Sequence, residues 1–166
     1  MPVRAAIAFG FEVMRINVVI TWLTKAHTVI SPGKYYPIPV VGPIMAGALA
    51  GCLGGFFHGG IRVVEKEVPW IAQSALYASA AFHLAIYDPT ASTLLQSIVF
   101  PGATVGQWRA LVHVSTVLFV AMTAVLQEAL LGKDFNPLAP LHAVAYAVST
   151  TPAPPPLAAS SLPSLR

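Results

Sequence analysis

The chain has 166 residues, of which 56% are hydrophobic and only 9% charged, with a formal net charge of +3. Soluble domains carry about 25% charged residues, so this composition excludes an ordinary soluble domain and points to an integral membrane protein. Both signs of charge are scarce and no basic patch is present, which excludes nucleic acid as a partner.

The length suits one helical bundle. Cys52 is the only cysteine, so no intrachain disulfide can form. Met1-Pro2-Val3-Arg4 leads into an apolar stretch without a small-x-small cleavage pattern, and no removable signal peptide is expected.

The first segment, about Ala5 to Ile30, is apolar with helical spacing but carries Glu12, Arg15, Asn17 and Lys25. Glu12 and Arg15 stand three residues apart and can pair on one helix face. Two readings stay open. In one the helix is tilted or partly outside the bilayer and the pair meets solvent; in the other the pair is intramembrane and marks an ion path or lipid contact. Ser31-Pro32-Gly33-Lys34 is a turn by composition, and Tyr35-Tyr36-Pro37 supplies an interfacial anchor.

Residues 39–61 contain no Asp, Glu, Lys or Arg, a run long enough to cross a hydrocarbon layer of about 30 Å. Pro39 and Pro43 predict an irregular or kinked start. Gly47, Gly51, Gly55 and Gly59 recur every fourth residue beside a small ridge of Ala46, Ala50 and Gly54. Such spacing lines up bare backbone into a groove that a neighbouring helix can enter. The alternative is that the groove lines a pore or contacts a ligand.

Arg62 to Pro69 is charge-dense and reads as a solvated connector. The third span, Trp70 to Tyr87, offers Ala72, Ala75, Ala78, Ser79 and Ala81 as small surfaces against the glycine ridge, and Asp88-Pro89 stops it. Residues 88–104 form a loop whose apolar middle, Leu94 to Phe100, predicts a short helix in the interface. The fourth span, about Val105 to Leu131, holds Trp108 and Arg109 at a boundary position, with His113 near its start and Glu128 near its end. Leu138 to Val148 is too short to span, and the Pro-rich tail to Arg166 is expected to be extended with no core of its own, so that a neighbouring subunit would hold it.

The fold class is therefore all-α, a polytopic membrane bundle of about four transmembrane helices over residues 1–135, with an interfacial segment and Pro-rich extension over 136–166. Four crossings put Arg4, Arg62, Lys66, Lys133 and Arg166 on one side and Lys25, Lys34 and Arg109 on the other, an excess that favours termini facing the cytoplasm, matrix or stroma.

Chemistry-bearing sets are sparse. His27, His58, His83, His113 and His142 are spread singly, none at the i, i+4 spacing of a zinc pair. No nucleophile elbow, phosphate loop or dinucleotide fingerprint occurs, so neither a metal site nor enzyme activity is expected. His58, His83 and His113 are the weak candidates for axial ligation of a haem or chlorophyll. Beyond bound lipids no cofactor is expected.

The order of Glu12-Val13-Met14-Arg15, Ala26-His27, Tyr36 before an apolar run, and the Gly47 to Gly55 cluster followed by further spans resembles the second half of the trimeric intracellular cation channels, the TRIC family. The resemblance covers roughly residues 10–131 and would match the family's fourth to seventh helices. It implies a fold of two inverted three-helix repeats plus a seventh helix, homotrimers with a pore in each protomer, and phosphoinositide binding through a Lys-Glu-Val motif. The lysine of that motif corresponds to Phe11 here, and Lys66-Glu67-Val68 matches it literally but between helices. The family's first repeat has no counterpart.

Three functions follow as expectations. The first is a non-catalytic accessory subunit of a larger organellar membrane complex, respiratory, photosynthetic or ATP-synthesising, in a mitochondrial inner or plastid membrane. The second is a potassium channel of the TRIC type, in the endoplasmic reticulum, whose homotrimer or partner chain supplies the missing repeat. The third is a haem- or chlorophyll-binding membrane subunit.

Overall fold

The computed structural model describes residues 2–59, 70–131, 135–141 and 143–144, without the side chains of 53–59 and 130. The connector at 62–69, His58, His142 and the tail beyond 144 lie outside the described side chains, as do the surroundings of Gly55 and Gly59. Two compact units are distinguished, Met1–Asn136 and Pro137–Arg166. The first is the helical bundle. Of the second, residues 139–141 and 143–144 are helical.

The bundle contains α1 (Pro2–Val29), α2 (Val41–Gly59), α3 (Trp70–Ile86), α4 (Pro89–Val99) and α5 (Val105–Leu126), the last running on as a π-helical segment over Gln127–Leu131. Among the described residues no strand occurs. α1 and the α5 helix with its extension, Val105–Ala129, are long and apolar enough to cross a bilayer, with mean hydropathies of 1.5 and 1.9.

α1 is the central helix and packs against α2, α3 and α5. Glu12, Arg15, Ile16, Val19, Ile20 and Leu23 recur at three- and four-residue intervals and form its buried face. The core joins them to Cys52, Ala75, Ala78, Phe82, Val117 and Val120. Val3, Ile7, Phe11, Met14, Val18 and Trp22 occupy the opposite face and are exposed.

Contacts fix the helix directions. Arg15 meets Ile71 and His27 meets His83, both at an offset of 56 residues, so α1 and α3 run parallel. Gly47 approaches Val19, Leu23 and Ser79, whereas Gly51 approaches Arg15 and Ala75, so α2 runs antiparallel to both. Trp108 reaches Ala85 and His113 reaches Asn17, so α5 also runs antiparallel to them.

The junctions are set by local chemistry. Asp88 ends α3 and caps α4, its Oδ1 accepting from the amides of Thr90 at 3.0 Å and Ala91 at 2.7 Å, with Pro89 at the position where a missing N–H costs nothing. α5 opens on a reciprocal cap: Thr104 Oγ1 accepts from the Gln107 amide at 3.3 Å and Gln107 Oε1 accepts from the Thr104 amide at 2.9 Å. Gly102 turns the chain between them at a φ of +82°, a conformation glycine adopts without steric cost.

Trp108, expected at a membrane boundary beside Arg109, packs against the chain itself. Its ring is buried at 5% exposure and its Nε1 donates to the Ala85 carbonyl at 2.8 Å, because the start of α5 leans on the end of α3. Arg109, the next residue around the helix, is exposed and donates to the Tyr87 hydroxyl at 2.7 Å.

Candidate functional site

The site grows from one charged residue on the buried face of α1. A guanidinium removed from water needs its donors satisfied, and its charge balanced. Arg15, 7% exposed, donates from Nε to Glu12 Oε2 at 2.8 Å, from Nη1 to the Ile71 carbonyl at 3.0 Å and from Nη2 to Ser74 Oγ at 2.7 Å. Glu12 is itself 5% exposed. The pair is thus internal rather than turned to solvent, and the planar fork ties α1 to the first turn of α3.

Glycine makes room for this tie. A Cβ on Gly51 would lie 2.9 Å from Ala75 Cβ, in collision with Val19 Cγ2, and 3.7 Å from Arg15 Nη1. One turn earlier, a Cβ on Gly47 would stand 2.6 Å from Ser79 Oγ, 3.0 Å from the Val19 carbonyl oxygen and 3.1 Å from Leu23 Cβ. These glycines let α2 settle against the α1–α3 pair as the small-residue spacing predicts, with Ala75 and Ser79 as facing positions. At Gly47 and Gly51 the helices that enter the groove are α1 and α3 of the same chain.

Two further polar contacts lie along α1. Asn17 donates from Nδ2 to the Val13 carbonyl at 2.7 Å, and its Oδ1 lies 2.8 Å from His113 Nε2, which places the proton on that nitrogen. Phe82 meets the His113 ring edge-on with centroids 6.1 Å apart. A double-mutant cycle over Asn17→Leu and His113→Leu is expected to give a coupling of about 0.6 kcal/mol, the size typical of interhelical hydrogen bonds in membrane proteins; unfolding in mixed micelles measures it.

At the other end of α1, His27 Nε2 and His83 Nδ1 stand 2.9 Å apart, so one ring donates and the other accepts. Tyr87 stacks on His27 with centroids 3.6 Å apart, and Arg109 lies 5.4 Å over the Tyr87 ring. Histidines that are isolated in sequence meet in space here, because α1 and α3 are parallel in a fixed register. His83 and His113 each engage a ring nitrogen with a protein partner. Among the described residues no group of three or more His, Cys, Asp or Glu could hold a metal ion.

The chain's return completes the end at which Arg15 sits. Gln127 Nε2 donates to the Phe135 carbonyl at 2.6 Å, and Asn136 Nδ2 donates to Gln73 Oε1 at 2.8 Å, beside Ser74. The chemistry available at Arg15 is charge neutralisation and helix clamping. Comparison with family models, curated proteins and solved structures finds no match for this chain.

Proposed function

We propose that the chain is a non-catalytic accessory subunit of a larger organellar membrane complex, built on a four-crossing bundle that resembles half of a TRIC channel. α1 and α3 cross in one direction and α2 and α5 in the other. The observation that carries the reading is the closure of Arg15 on the chain's own groups: Glu12, Ile71 and Ser74 take donors from all three of its nitrogens. A buried charge satisfied in this way holds helices in register. Outward, Val3, Ile7, Phe11, Met14, Val18 and Trp22 of α1 are exposed, a face suited to lipid tails or to another transmembrane helix. Gentle detergent extraction through an affinity tag, followed by identification of what co-purifies, tests the assembly role. Distinct membrane subunits in fixed stoichiometry support it, and a homotrimer alone contradicts it.

A channel of the TRIC type is the second reading. It is favoured by the same pair, since ionisable residues at membrane depth mark ion paths by default. Purified protein in liposomes would then pass potassium, and Arg15→Leu would change the flux; no flux from folded protein removes this reading.

A further inference from the structure

α4 is built inside out for a helix in water. Its apolar residues gather on one arc, Leu94, Leu95, Ile98 and Val99, with Phe100 at its end, and these are 58%, 38%, 70%, 59% and 44% exposed. The half-buried positions are Ala91, Ser92 and Gln96. No α4 residue is buried, and the contact of α4 with the bundle is through α3. Ser92 and Gln96 are thus turned toward the chain, and after Ala91 in the first turn the leucines, isoleucine and valine of the apolar arc are turned away from it.

Its polar groups are arranged to need little outside water. Thr93 Oγ1 donates to the Pro89 carbonyl at 2.7 Å, Ser97 Oγ to the Leu94 carbonyl at 2.8 Å and Gln96 Nε2 to the Ala103 carbonyl at 2.6 Å, while Asp88 caps the first turn. From Pro89 to Val99 there is no Lys, Arg, Asp or Glu.

We infer that α4 is an in-plane membrane helix whose Leu94–Leu95–Ile98–Val99 face inserts into the boundary between headgroups and acyl chains of the bilayer that the bundle crosses. The inference rests on the bilayer reading given above. Connectivity puts α4 where this occupant is at hand: α4 follows α3 after Tyr87 and Asp88 and precedes α5 by the turn at 100–104. Both its ends therefore sit at one end of the bundle, the level at which Arg109 holds the Tyr87 hydroxyl. Eleven residues make a rod of about 16 Å, too short to cross and well suited to lie flat. With no cation on the helix, binding comes from apolar burial and is indifferent to lipid charge.

Site-directed spin labelling of the full chain in phosphatidylcholine vesicles tests this, with single cysteines at Ile98, Thr93 and Leu118 in a Cys52→Ala background. The label at Ile98 is expected to be accessible to oxygen and shielded from a water-soluble nickel chelate, at a depth of about 5–10 Å. Thr93, on the opposite arc, is expected to favour the chelate several-fold more, and Leu118 on α5 to report deep lipid. Replacing half of the lipid with phosphatidylglycerol is expected to leave these ratios unchanged. A chelate-accessible Ile98 beside a lipid-exposed Leu118 overturns the inference alone. So does an Ile98 shielded from both reagents, since a protein then covers the face. Chelate access at Ile98 and Leu118 alike overturns the bilayer reading as well.

Discussion

Arg15→Leu is expected to destabilise the bundle by about 3–5 kcal/mol, because it strands the Glu12 carboxylate, 5% exposed, without its counter-charge. The Ile71 carbonyl and Ser74 hydroxyl lose their donor in the same step. The double replacement Glu12→Leu with Arg15→Leu is expected to recover most of the loss, since removing both members of a buried pair is often neutral where removing one is costly. Arg15→Lys falls between, because a single ammonium cannot reproduce the fork that reaches Glu12, Ile71 and Ser74 together. Reversible unfolding in mixed micelles reads all three. Equal stability of Arg15→Leu and the parent would mean that the guanidinium does not tie α1 to α3.

The second large effect is expected at the bare backbone of α2. Gly51→Ala forces a methyl group against Val19 and Ala75 and should cost about 1–3 kcal/mol. Gly51→Leu should prevent the three helices from closing at all. Gly47→Ala meets a backbone oxygen, that of Val19, which cannot rotate away as a side-chain tip could, and a similar loss is expected. Gly10 is the control: nothing stands within 4 Å of the position its Cβ would take, so Gly10→Ala should leave stability unchanged or slightly raised. If Gly10→Ala and Gly51→Ala behave alike, the close crossing is not the reason for glycine at 51.

Much of the architecture was legible from hydrophobic runs and breakers. The Asp88-Pro89 junction, the short helix around Leu94 and the long helices on either side all follow from local chemistry that one stretch of sequence contains. The partner of each helix face is a different matter. The glycine spacing says that something approaches closely, and the small residues of the third span single out α3; that α1 enters from the other side through Arg15, Val19 and Leu23 depends on packing register, which periodicity does not encode. The Glu12–Arg15 pair could be foreseen at three residues' separation, but Ser74 and Ile71 reach Arg15 from 59 and 56 residues away. His27 and His83 belong to the same hidden register. Trp108 could be assigned to an interfacial belt from its residue type, but that its indole has the Ala85 carbonyl as a buried partner depends on the packing of α5 on α3.

In the proposed topology the chain threads a bilayer up, down, up and down through α1, α2, α3 and α5. The direct measurement is labelling by a membrane-impermeant maleimide in sealed vesicles, with single cysteines at Arg4, Lys34, Pro101 and Lys133 in a Cys52→Ala background. Lys34 and Pro101 are predicted to react from one side, and Arg4 and Lys133 only from the other. Reaction of all four from the same side, or recovery of the chain away from the membrane fraction, would contradict it.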